Sequence, residues 1–189
     1  MSEPRTLRRD ARANAAKLQT AAREVFLAKG LDAPLDEIAR AAGVSTGTLY
    51  NHFGSREALI DAVIPEVAGA RMHALGAAVE AEATAAGRLQ AFVLGMIQLQ
   101  QDDPALNDAL LRRYPDAVAL TGVCDQSALL GRQLVRDAHA EGTLASDFTE
   151  DDLLALLWLA GTAGRDRTAP SSWRHVVTRS ITSALSQHR

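Results

Sequence analysis

Apolar residues recur along this chain at intervals of three and four and nowhere alternate convincingly at two, which predicts helices throughout and no strand. The first stripe is Leu18, Ala22, Val25 and Phe26, spaced i, i+4, i+7 and i+8 on a helix from about Ala13 to Lys29. Gly30 ends it, because glycine adopts a left-handed cap without a side-chain penalty. The next helix opens at Asp32-Ala33-Pro34, where Pro suits a first turn and Asp36 and Glu37 suit the positive end of the helix dipole. Leu35, Ile38, Ala39 and Ala42 form its buried stripe, and its cap comes from Asp32 or is missing.

Ala42-Gly43-Val44-Ser45-Thr46-Gly47-Thr48-Leu49-Tyr50-Asn51-His52-Phe53 is the most informative stretch. Gly43 allows a tight turn straight after one short helix, and Ser45 or Thr46 caps another that begins almost at once. This is helix-turn-helix spacing. Val44, Leu49 and Phe53 are the apolar anchors, leaving Thr46, Gly47, Thr48, Tyr50, Asn51 and His52 to project. Short hydrogen-bonding groups on the early turns of such a helix are what a major groove reads, although the same geometry also serves plain helix packing. Pro65 falls within a fourth helix, which it either kinks or ends. From about Arg71 the pattern gives five further helices, with breaks near Gly87, Asp102-Asp103-Pro104, Tyr114-Pro115, Glu141-Gly142 and Arg167 to Pro170. Leu89, Phe92, Val93, Met96, Ile97 and Leu99 cover most of one helix's circumference, and Leu153 to Leu159 is nearly continuous, so both are expected at the centre.

Composition narrows the class. A chain of 189 residues suits two small domains sharing a core. A single Cys excludes an intramolecular disulfide and a Cys-based zinc site, and fits a reducing compartment. Uncharged runs such as Leu153 to Gly164 fall short of the ~20 residues of a spanning helix, so the expected location is cytoplasmic, with no membrane partner. The net charge of −3 hides a segregation: residues 1–30 hold seven basic and three acidic side chains, whereas residues 61–189 hold 11 basic and 16 acidic. One positive end on an acidic body points to a polyanion at that end. Arg5, Arg8, Arg9 and Arg12 are either part of that contact or a solvated tail.

In the second half, Met96, Leu110, Tyr114, Cys124 and Trp158 are the candidates for a small-molecule pocket, an apolar set with a few polar handles; ordinary core is the competing reading of each. Cys124 has no cationic neighbour in sequence, which favours an inert thiol over a sensor. His73, His139 and His175 are too dispersed for a metal site, and Asp151 and Asp152 read as an acidic first turn. Neither paired carboxylates nor a nucleophile beside a base stand out, so no enzyme activity, metal or cofactor is expected.

Across its amino-terminal third the chain resembles the TetR family of bacterial transcriptional regulators. The residues that carry the resemblance are Ala21-Ala22, Phe26, Gly30, Ile38-Ala39, Ala42-Gly43-Val44-Ser45, Gly47-Thr48-Leu49-Tyr50, His52-Phe53 and Arg56-Glu57-Ala58-Leu59, in order and at family spacing. The resemblance implies an all-α protein: a flexible basic arm (1–12), a three-helix helix-turn-helix DNA-binding domain (13–70) and a helical ligand-binding and dimerisation domain (71–189). It implies that Thr46, Gly47 and Thr48 face base edges or the nearest phosphates, that Tyr50 and His52 reach the backbone, that Asn51 reads a base and that Arg56 neutralises a phosphate. The expected function is a regulator, most simply a repressor, that binds a palindromic double-stranded DNA operator as a homodimer and is released by a small-molecule effector. A two-fold operator requires a two-fold protein, and Leu154, Leu157, Trp158, Val176, Val177, Ile181 and Leu185 on the last two helices are its expected contact. An activator, or a helical binding protein or enzyme whose helix-turn-helix is scaffolding, is the alternative.

Overall fold

The computed structural model describes residues 3–111 and 114–186, with side chains for 12–111 and 114–185. Its described residues form nine helices and no strand: α1 (Glu3–Lys29), α2 (Leu35–Ala41), α3 (Thr46–Phe53), α4 (Arg56–Glu80), α5 (Ala85–Asp102), α6 (Pro104–Leu111), α7 (Val118–Ala140), α8 (Glu150–Arg165) and α9 (Trp173–Ser186). None is long and apolar enough to cross a membrane. Helix α1 starts at Glu3, ahead of the predicted Ala13. The side chains of Arg5, Arg8 and Arg9 lie outside the described residues, and Arg12 is exposed. Gly30 closes α1 at φ 94°, the left-handed cap expected of it.

Helices α1 to α3 bury Leu18, Ala22, Phe26, Ile38 and Leu49 completely or nearly so, against Leu59, Ile60, Val63 and Ile64 on the first turns of α4. Helix α2 starts at Leu35 behind an extended Pro34 and has no side-chain cap. Helix α4 does not end at Pro65: it runs through it to Glu80, and buried Ala68, Leu75 and Val79 hold the later turns in place. One continuous helix therefore links the two halves.

The second half packs α5 and α7 on the far turns of α4, and α8 and α9 in turn on α5, with Leu89, Phe92, Val93 and Met96 at its centre, as the apolar pattern predicts. Gly161 on α8 permits this density, since a Cβ there would lie 2.5 Å from both Asn107 Oδ1 and Gln100 Nε2. Leu157, Val177 and Ile181, expected at a dimer contact, are buried in the chain's own core instead, because α8 and α9 turn that stripe onto α5. The two cores are not separate. Ala105, Leu106, Ala109, Ala117 and Leu120, from α6 and the start of α7, belong to the amino-terminal cluster, and Met72, Leu99 and Leu110 pack against both.

Candidate functional site

Gly43, at φ 69°, turns the chain between α2 and α3. Ser45 then caps α3: its Oγ accepts from the Thr48 amide at 3.1 Å and lies 2.9 Å from the Thr48 hydroxyl. Leu49 is fully buried, while Val44 and Phe53 are half-buried against the first core. These three fix the roll of α3, so that Gly47, Tyr50 and Asn51 are exposed and Thr46, Thr48 and His52 half-exposed on its free side. Tyr50 stands 49% exposed, a large ring with nothing of the chain covering half of it. Arg56 does more than sequence reasoning assigned it. Its Nη1 donates to the carbonyls of Leu31 at 2.8 Å and Ala33 at 2.7 Å, tying the first turn of α4 to the loop before α2. A phosphate contact would fall to the rest of the guanidinium.

All five pocket candidates, Met96, Leu110, Tyr114, Cys124 and Trp158, line a single cavity of about 740 Å³ that lies between α5, α6, α7 and α8 and opens to solvent. The size is that of a small-molecule site. Its apolar wall is Phe92, Leu110, Leu120, Leu153 and Leu157, and exposed Trp158 stands at its mouth. The sequence reading missed Gln100, Thr121 and Ser127, which add polar groups to the lining. A Gln one turn after Met96, on the apolar face of α5, was the available signal. The Cys124 thiol sits 3.6 Å from the Ala109 carbonyl, and burial, helped by the Asp125 charge, pushes it up to about 11. It is a neutral group at physiological pH.

Side chains from each half bind the backbone of the other. On α6, the buried Asp108 carboxylate accepts from the Leu31 amide at 2.8 Å and pairs with Arg165 of α8 at 3.2 Å. Desolvation pushes this carboxyl above its usual range, against the lowering effects of the Leu31 bond and the Arg165 charge. Leu31 is thus held on its N–H side by α6 and on its carbonyl side by Arg56. Reciprocally, α4 reaches the start of α7, which lacks a side-chain cap at Ala117: Asp61 Oδ1 accepts from the Leu120 amide at 3.0 Å, and Glu57 Oε2 from the Asp116 amide at 3.2 Å. Leu120 lines the cavity and also belongs to the amino-terminal core. Elsewhere the surface carries Leu129, Trp158, Leu159 and Val176, large apolar side chains between 46% and 61% exposed on α7, α8 and α9.

Comparison with known proteins bears on this arrangement. Residues 18–63 match the family model of bacterial regulatory proteins, tetR family. The chain is 30% identical over 117 residues to the uncharacterized HTH-type transcriptional regulator TtgW of Pseudomonas putida, over 61% of this chain and 79% of that protein. In fold it is similar to FadR from Bacillus subtilis in complex with stearoyl-CoA, with a TM-score of 0.65 and 16% identity over 93% of this chain and 99% of that one. It is also similar to RolR in complex with resorcinol, with a TM-score of 0.61 and 16% identity over 94% and 90% of the two chains. At such identities the two structures speak to the fold alone.

Proposed function

This chain belongs to the tetR family of bacterial regulatory proteins and is a DNA-binding transcriptional regulator rather than an enzyme; from that premise we propose that it is a homodimeric repressor released from a palindromic operator by a small-molecule effector. The observation that carries this reading is that one chain joins an exposed, capped recognition helix to a mostly apolar cavity open at Trp158, with each half gripping the other's backbone. Residues 13–70 form the DNA-binding half, residues 71–189 the effector and dimerisation half, and residues 1–12 a basic arm that adds phosphate contacts. Thr46, Gly47 and Thr48 face base edges or the nearest phosphates, Gly47 through its backbone alone, and Asn51 reads a base, while Tyr50, His52 and Arg56 position the helix on the backbone. That FadR and RolR hold small molecules on the same fold supports an effector in the cavity lined by Met96, Leu110, Tyr114, Cys124 and Trp158.

The switch follows from the links between the halves. Two recognition helices read a two-fold operator when they lie one DNA turn apart, roughly 34 Å. A ligand that alters the cavity wall at Leu110 and Leu120 moves α6 and the start of α7. Through Asp108 on Leu31, and Asp61 on Leu120, that movement reorients the helix-turn-helix within each protomer. A difference of a few kcal/mol between the ligand's affinities for the two states is enough. Fluorescence-anisotropy titration on duplexes from around the protein's own gene tests the reading. Saturable binding to one duplex is expected, with affinity at least about tenfold lower for Tyr50→Ala at unchanged melting temperature, because an exposed side chain adds little to the fold. Equal, steeply salt-dependent binding to every duplex would leave only electrostatic attraction.

A further inference from the structure

Resting on the reading of the cavity as the effector site, we propose that the effector is an uncharged, mostly apolar molecule carrying a hydroxyl or N–H donor for Gln100. The Gln100 side chain lines the cavity and is 4% exposed. Its Nε2 donates to the Leu157 carbonyl at 3.2 Å, which fixes the amide's orientation, since the flipped form would set oxygen against oxygen. Oε1 is then a buried acceptor with no hydrogen-bond partner in the protein. A bare buried acceptor is costly, and a ligand donor removes that cost.

The surroundings define the rest of the molecule. Ser127, 6% exposed, lines the same cavity, and its Oγ donates to the Met96 thioether at 3.9 Å, a weak partner that a ligand oxygen would displace. Gln100 and Ser127 therefore make a polar end that offers one acceptor and one hydroxyl. Phe92, Leu110, Leu153 and Leu157 offer dispersion and little else to the remainder of a ligand. Among the described lining residues, Asp125 and Arg132, both on α7, carry charge: Asp125 is exposed, and the half-buried Arg132 has its Nε 3.9 Å from Glu150 Oε2, an ion pair without a hydrogen bond. Burial that keeps the Cys124 thiol protonated also disfavours a ligand anion at that wall.

Calorimetric titration of the full-length protein with 1-naphthol, 1-methoxynaphthalene and 1-naphthoate compares a donor, a methylated donor and an anion on one ring system. We expect 1-naphthol to bind about tenfold more tightly than the methyl ether, with naphthoate the weakest. In Gln100→Leu the preference for naphthol over the ether should shrink to within about twofold. The wild-type comparison needs no variant, so the proposal stays testable if Gln100→Leu fails to fold. Equal or tighter binding of the ether, or strongest binding of naphthoate, would overturn the donor assignment. Failure of all three to saturate would count instead against the cavity as an effector site, and the donor assignment would fall with it.

Discussion

At the scale of single residues, Cys124 shows how environment decides chemistry. A thiol pushed up to about 11 has, at pH 8, about one hundredth of the thiolate of a thiol at its ordinary 9.0. Iodoacetamide should therefore alkylate the native protein at pH 8 about a hundredfold more slowly than the urea-unfolded chain, and the native rate should keep climbing as pH approaches 11; equal native and unfolded rates would refute this. Phe53 is a graded case. Its ring is half-buried, so Phe53→Ala should lower the free energy of unfolding by about 2 kcal/mol, below the cost of deleting a fully enclosed ring, as read from urea denaturation. The burial of Leu49 and the exposure of Tyr50 were legible from the chain, because each step along a helix turns the side chain by about 100°, enough to carry it off the apolar stripe. Asp108 was not. Its partner Leu31 lies 77 positions away, and the visible hint was a carboxylate set among Leu106, Ala109 and Leu110 on a short apolar helix.

Among the elements, boundaries marked by glycine or proline were readable and those set by packing were not. The breaks at Asp103, Tyr114, Glu141 and Arg167 to Pro170 fall between helices, whereas Gly87 lies in the first turn of α5, which starts at Ala85 behind the Thr84 cap. Pro65 misleads by the same rule: it removes one backbone donor, yet burial of Ala68 and Leu75 outweighs the loss and α4 continues. Helix α7 takes its cap from another helix, which no local motif could announce. Replacing Asp61 by Ala should cost about 1 kcal/mol of stability in denaturant titration, with Asp61→Asn, which keeps an acceptor, recovering most of it. Undiminished stability in Asp61→Ala would mean that the Leu120 amide finds water as readily as the carboxylate.

For the molecule as a whole, an apolar surface remains to be covered. Residues 157, 177 and 181 close the internal core, so the proposed two-fold contact rests on Trp158, Leu159 and Val176, all about half exposed. Trp158→Asp combined with Leu159→Lys should halve the mass in sedimentation at micromolar concentration and weaken operator binding by about a hundredfold, since a single recognition helix reads half a site. A dimeric mass in that double variant would move the contact elsewhere. A pattern of apolar spacing says which helix faces are apolar, yet cannot say which of two such faces on α8 meets α5.

The grip of α4 on the start of α7 has a consequence for recombining such regulators. A chimera that joins this chain's DNA-reading head to a different sensing body, with its crossover at the nominal boundary near residue 70, inherits Asp61 and Glu57 but loses the amides of Leu120 and Asp116 that they were built to meet, and it strands Leu31 without the carboxylate of Asp108. Heads and bodies exchanged in this way should fold yet answer their ligands poorly, unless the α6–α7 segment travels with the head.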